Sequence, residues 1–208
     1  MITQHPVDRF LDELASAAPT PGGGSAAAVI GAMGAALLSM VSNVTIGKKG
    51  MEAVAPDMQA VRDESERLRA RLTAMVAEDI AAFDGLMAAY RLPKNTDEEK
   101  LRRGAAIQSN LRAATETPLR CARACAEVVM LARRAAEKGF AGVVSDAGVG
   151  VLAANSALRG AALNVYINAP SLKDRAYATA ATAEIESLLE RCARESEAVF
   201  ELVRSRLG

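Results

Sequence analysis

Along most of this chain apolar positions return every three or four residues, the period of a helix with one buried side. Val7 to Ala17 carries Val7, Phe10, Leu11, Leu14 and Ala15 on one face. A loop with three consecutive glycines follows. Ser25 is placed to cap the next helix, which runs to Ile46 and stops at Gly47. Helical periodicity resumes from Val54 to Tyr90 and closes at LPKN. Another helix starts at Asp97 and runs to Lys138, before Gly139. Pro118 falls inside it and predicts a kink or a break. A second apolar helix spans Val149 to Asn168, with Ser145 or Asp146 near its start and Pro170 at its end. Ser171 to Leu207 forms the last helix, rich in Glu, Arg and Leu. No period-two strand of convincing length occurs. The pattern predicts an all-α fold: a single-domain bundle of long antiparallel helices over residues 1–208.

Two features stand out from this pattern. Ser25 to Gly47 contains no charged residue, and its length would suffice for a membrane span. Ala and Gly dominate it, large aliphatics are sparse, and Ser39, Ser42, Asn43 and Thr45 crowd its second half. These residues favour a buried central helix over a membrane span. Gly31, Gly34, Ala35 and Ser39 recur at spacings of three and four, as do Ala157, Gly160 and Ala161 in the second apolar helix. The two helices are expected to pack closely at the centre, with the charged helices outside. Together they offer more flat apolar face than one thin bundle covers, which predicts a homodimer.

The second feature is Asp79. The seam Val61, Leu68, Leu72, Met75, Phe83, Leu86, Tyr90 has its gap filled by this acid. A carboxylate on an apolar stripe is costly unless paired or used. Either an arginine on a facing helix pairs with it or it serves chemistry. Asp84, one turn on, raises the same question more weakly.

Composition narrows the function. Lys+Arg and Asp+Glu are both 25 and aromatics are 3%, so neither a basic surface nor a stacking platform for nucleic acid is expected. The N-terminal MITQHPVDRFLDEL lacks the pattern of a signal peptide. Three cysteines, Cys121, Cys125 and Cys192, then fit reduced thiols in a cytoplasm. Cys121 and Cys125 share a helix face, but the only histidine is His5. Buried thiols are expected there, not a zinc site.

The glycine loop satisfies G-x-G-x-x-A through Gly22, Gly24 and Ala27. No strand precedes it and no acid lies between Ser25 and Met51 to hold a ribose, so a dinucleotide fold is excluded. No Gly-Lys-Ser/Thr follows for a Walker motif. Glycines at a helix mouth permit positive φ and close approach of a ligand. The free N–H groups there favour an anionic or carbonyl group. A tight turn is the alternative use of the same residues.

Taken in order, PTPGGGSAAA, TIGKK, EDIAAFD, LPKNTDEEK, VVSDAGVGVL and ALNVYINA resemble the formiminotetrahydrofolate cyclodeaminase / methenyltetrahydrofolate cyclohydrolase family over nearly the whole chain. In character the chain is most similar to the stand-alone bacterial cyclohydrolases of that family. The resemblance implies an all-helical homodimer that binds a folate in a cleft near the subunit contact. It implies hydrolysis of 5,10-methenyltetrahydrofolate to 10-formyltetrahydrofolate. The lack of a fused formiminotransferase domain leans toward this activity over cyclodeamination, which would release ammonia. A non-catalytic helical scaffold is the reading from another class.

The substrate of the hydrolysis is an amidinium cation that water attacks, after which the bond to N5 breaks. Such chemistry needs a base, a proton for N5 and negative charge near the cation, with no cofactor, metal or covalent nucleophile. Asp79, the acid before AF, is assigned to base or cation stabilisation. Lys48 of TIGKK is assigned to orienting water or donating a proton. Asp146 of SDAG is assigned to the pterin edge or proton transfer, with helix capping as its alternative. The substrate contacts expected are the loop Pro21, Gly22, Gly23, Gly24 and Ser25, together with Asp84, Gln108, Ser145 and Asn164. A soluble cytoplasmic enzyme, with neither nucleic-acid nor membrane partners, is expected.

Overall fold

The computed structural model describes residues 6–208. Six α-helices carry the chain, α1 (Val7–Ala15), α2 (Gly23–Ile46), α3 (Ala55–Tyr90), α4 (Asp97–Lys138), α5 (Val144–Asn168) and α6 (Arg175–Leu207), and there is no strand among the described residues. From α2 onward successive helices run antiparallel, so α2, α4 and α6 point one way and α3 and α5 the other. The five long helices bury one continuous core of alanine, leucine and valine. His5 lies outside the described residues.

Local sequence sets several boundaries. Thr96 and Glu99 form a reciprocal capping box at the start of α4, each accepting a backbone N–H. Asp174 caps α6 through the Tyr177 amide at 3.0 Å, so α6 begins four residues later than the apolar pattern suggests. Ser171 instead ends a 3₁₀ turn. In the opposite sense, α5 begins at Val144, ahead of Val149. Ser145 and Asp146 therefore stand in its first turn, and no side chain caps this helix. Its N-terminal dipole still favours the Asp146 charge.

Pro118 does not break α4. Proline removes the N–H that would bond the carbonyl of Ala114, one turn back. Asn168, at the end of α5, donates its Nδ2 to that carbonyl at 2.8 Å. A bond between helices thus replaces the one missing within α4.

Small residues seat α2 against α5. A Cβ on Gly34 would stand 2.8 Å from the Gly150 carbonyl, so that crossing requires glycine. Ala27 meets Gly160 at the other end of the same antiparallel pair. Their composition predicts a place at the centre, but these helices line one side of the bundle. One side of each is buried, while Met33 (60% exposed), Leu163 (68%) and Ile167 (74%) face outward with Ile30, Val149 and Leu152. Small side chains lie where the two backbones approach, Leu38, Val41, Val151, Leu158 and Val165 fill the core beside them, and a second set of large aliphatics faces outward. By length and composition both α2 and Ala141–Ser171 could cross a bilayer, and half of the apolar stretch of α2 is buried against its own chain.

Candidate active site

The N-terminus of α2 lies against the C-terminal half of α3, and their contact is Asp79. Gly22 is the N-cap, contributing no side chain, and Ser25 sits in the first turn. Ser25 therefore does not cap its helix. Its hydroxyl donates to Asp79 Oδ2 at 2.8 Å, and its backbone amide also favours the charged carboxylate. Gly24 makes the approach possible, since a Cβ there would lie 2.7 Å from Asp79 Cγ. None of the three loop glycines has positive φ, and Gly50 is the only such residue among those described. The loop needs glycine at Gly24 for space, not for a left-handed backbone. Gly23 is exposed, with open space where a side chain would stand. The Pro21 ring is buried beneath the loop.

Asp79 pairs with no arginine or lysine among the described residues. Burial raises its carboxyl above the ordinary aspartate range, and the two Ser25 bonds oppose the rise. The acid is half-buried, hydrogen-bonded on one side and aimed at a helix N-terminus that favours negative charge. Its other side opens on a cavity of about 350 Å³ between α3, α4 and α5. Phe83, Leu86, Met87 and Tyr90 supply an apolar wall. Asn164, Asn168 and Ser171 bring polar groups to the opposite side. Among the described residues, no charged group other than Asp79 lines it. A flat, partly apolar cation fits this chemistry: a hydrophobic slot, amides at one edge and one uncompensated carboxylate.

The other expected site residues divide. Asn164 lines the cavity and donates to the Gly160 carbonyl at 3.1 Å, which fixes its amide. Gln108 is near but committed: its Nε2 donates to the Ser171 carbonyl at 3.1 Å and its Oε1 accepts from the Lys173 amide at 2.6 Å. It holds the 171–173 loop against the cavity and does not itself line it. Asp84 is exposed and does not line the cavity.

Lys48, Ser145 and Asp146 gather at the opposite end of the bundle, because the C-terminus of α2 meets the N-terminus of α5. Thr45 Oγ1 accepts from the Phe140 amide at 2.9 Å, and Lys48 Nζ stands 4.4 Å from the centre of the Phe140 ring. At 1.5 Å per residue, α2 holds Lys48 roughly 35 Å from Ser25. One chain therefore does not bring Lys48 and Asp146 to Asp79. Asn168, Ser171 and Tyr90 are wall residues that sequence reasoning missed. Their signal was weak, since a helix-terminal Asn and a seam Tyr have ordinary structural uses.

The three cysteines are buried and unpaired. No group of three His, Cys, Asp or Glu residues suited to a metal occurs among the described residues. A second groove, of about 410 Å³, runs between the end of α5 and α6 beside Tyr166 and Thr182.

Residues 6–187 match the family described as Formiminotransferase-cyclodeaminase. The chain is 55% identical over 202 residues to a methenyltetrahydrofolate cyclohydrolase of Methylorubrum extorquens, covering 97% of both. It is 34% identical over 201 residues to the formimidoyltransferase-cyclodeaminase of Sus scrofa, and spans 37% of that longer protein. The crystal structure of a formiminotetrahydrofolate cyclodeaminase from Thermotoga maritima superposes with a TM-score of 0.81 at 27% identity, covering 100% of this chain and 98% of that one.

Proposed function

The chain belongs to the formiminotransferase-cyclodeaminase family, and on that premise we propose that it is a methenyltetrahydrofolate cyclohydrolase, converting 5,10-methenyltetrahydrofolate reversibly to 10-formyltetrahydrofolate. The observation that carries this reading is Asp79: a half-buried carboxylate without a counter-ion among the described residues, beside an apolar slot. The methenyl substrate brings the missing positive charge in its amidinium. The relative with that activity in its name is matched at 55% identity over nearly its full length.

In this mechanism the amidinium lies in the cavity with its one-carbon centre near Asp79. The carboxylate lowers the energy of the cation and accepts a proton from the attacking water. Ser25 holds the carboxylate while the proton moves. The tetrahedral adduct then loses its hydroxyl proton, the carbon–oxygen double bond forms, and the electron pair of the carbon–N5 bond passes to N5, which takes up a proton. Asn164, Asn168 and Ser171 face the polar edge of the ring. The enzyme works as one domain, as a soluble cytoplasmic homodimer, without metal or cofactor.

Loss of methenyl absorbance, followed beside ammonia release from formiminotetrahydrofolate in the same preparation, tests the assignment. Methenyl hydrolysis is expected to have the larger kcat/KM. Faster ammonia release would make the protein a cyclodeaminase. Asp79→Asn is expected to remain folded and to lose ~10²–10⁴-fold in rate, the usual contribution of a general base. Activity within a few-fold of wild type would reduce Asp79 to a structural role.

A further inference from the structure

The polar side of the Asp79 cavity is built from side chains whose donors are already spent. Asn164 gives its Nδ2 to the Gly160 carbonyl at 3.1 Å, and Asn168 gives its Nδ2 to the Ala114 carbonyl at 2.8 Å. Both partners can only accept, which fixes which end of each amide is the nitrogen. Each Oδ1 is left open, and neither receives a hydrogen bond among the described residues. The Ser171 carbonyl is taken by Gln108 Nε2, so Ser171 offers the cavity its hydroxyl. A charged Asp79 is acceptor-only as well. An edge so rich in acceptors suits a ligand that brings N–H groups.

We infer that Asn164 and Asn168 determine specificity for the pyrimidine end of the substrate, their Oδ1 atoms accepting the ring N3–H and the 2-amino hydrogens. This rests on the cyclohydrolase reading and names the part of the substrate that the polar edge reads.

The register of the helices agrees with this placement. A Cβ on Gly34 would meet Gly150 and Ala154, and one on Gly160 would meet Ala27. One turn beyond that last contact, Gly24, which abuts Asp79, comes level with the turn that holds Asn164. Helices α3 and α5 both run opposite to α2. Moving from Asp79 to Leu86 on α3 therefore keeps pace with moving from Asn164 to Ser171 on α5. The acceptor row starts beside Asp79, and its two asparagines stand about 6 Å apart along the helix. In the methenyl substrate the 2-amino nitrogen is roughly 7 Å from the one-carbon centre, by ordinary bond lengths. With that carbon at Asp79, the donor edge falls on the asparagine row, and Phe83 and Leu86 cover the ring. The amidinium has no N–H of its own, so charge alone ties it to Asp79. Two different interactions thus fix two ends of one ring system. The far end of the row is held by α4. Gln108 also accepts from the Lys173 amide at 2.6 Å, and Arg112 pairs with Asp174 at 2.9 Å.

Removing the 2-amino group tests the assignment. An acceptor left facing a methyl group costs about 10–100-fold in affinity. Wild type is expected to prefer 5,10-methenyltetrahydrofolate over its 2-desamino-2-methyl counterpart by that factor in kcat/KM. In Kd, measured by calorimetry, it is expected to prefer 5-formyltetrahydrofolate over the matching 2-desamino-2-methyl compound to a similar extent. Asn164→Ala loses only a bond within its own helix and is expected to keep its helical circular dichroism. It is expected to bring both preferences within a few-fold, by weakening the amino compounds alone. A wild type without preference would overturn the assignment. So would an Asn164→Ala variant that weakens both compounds of a pair equally and keeps the preference, as a merely structural role would have it. A preference in Kd, lost in Asn164→Ala, without hydrolysis of the methenyl substrate by wild type would leave the assignment standing and remove the cyclohydrolase reading.

Discussion

Burial moves the Asp79 carboxyl upward, and this direction fixes how activity and stability respond to pH. A base must be deprotonated, so activity is expected to fall on the acid side at a higher pH than an ordinary aspartate would give. Stability runs the other way. A carboxyl whose folded pKa is raised contributes stability below its unfolded value and loses it as pH rises through the folded value. At neutral pH the charged Asp79 therefore costs stability, and Asp79→Asn is expected to melt at or above the wild-type Tm while losing turnover. Thermal melts at neutral pH, beside a pH–rate profile of kcat/KM, check both directions. Gly24 shares in this geometry by having no side chain. Gly24→Ala drives a methyl group into the carboxylate and is expected to lower both Tm and kcat. Gly23→Ala meets open space and is expected to retain Tm, with any effect on KM. Measuring both variants separates a loop needed for packing from one that faces a ligand.

Among the elements, the α4–α5 contact shows how a local rule gives way to its surroundings. Pro118 would be expected to stop a helix, but Asn168 accepts the burden of the freed Ala114 carbonyl, and α4 runs through. Asn168→Ala leaves that carbonyl without a partner and is expected to destabilise the protein by about 1–3 kcal/mol, the cost of an unsatisfied buried acceptor, in urea unfolding. The helices themselves were legible, because a 3.6-residue period over 20 or more residues is a strong signal. Their starts were less so. Val144 begins α5 and Asp174 caps α6 because tertiary contacts and one side-chain bond decide where the first turn closes. Asp79 was legible as a carboxylate filling a gap in an apolar seam. That its neighbour would be Ser25, and not an arginine, depended on the register of α2 against α3, which periodicity does not specify. Lys48 and Asp146 carried the opposite problem. Their motifs were plain, but a motif does not say at which end of a bundle it will lie.

The molecule as a whole has a covered side and an uncovered one. Charged pairs such as Arg123–Glu184 and Arg133–Glu195 tie α4 to α6 along the covered side. Each partly exposed pair adds little by itself. The opposite side carries the α2–α5 apolar face, whose middle is Met33. Met33→Asp puts a charge into that face without touching the core or the Asp79 cavity. It is expected to convert a dimer to a monomer by light scattering, with the helical circular dichroism retained. In the proposed homodimer the same side chain would make the response to oxidants depend on assembly. With all three thiols inside, the most exposed methionine among the described residues in one isolated copy is Met33. Sulfoxide formation would set a polar group at the middle of the contact, and a seated partner would shield it. Dilution and oxidative damage would then reinforce each other: copies that come apart lose the cover over Met33, and once oxidised they pair less well.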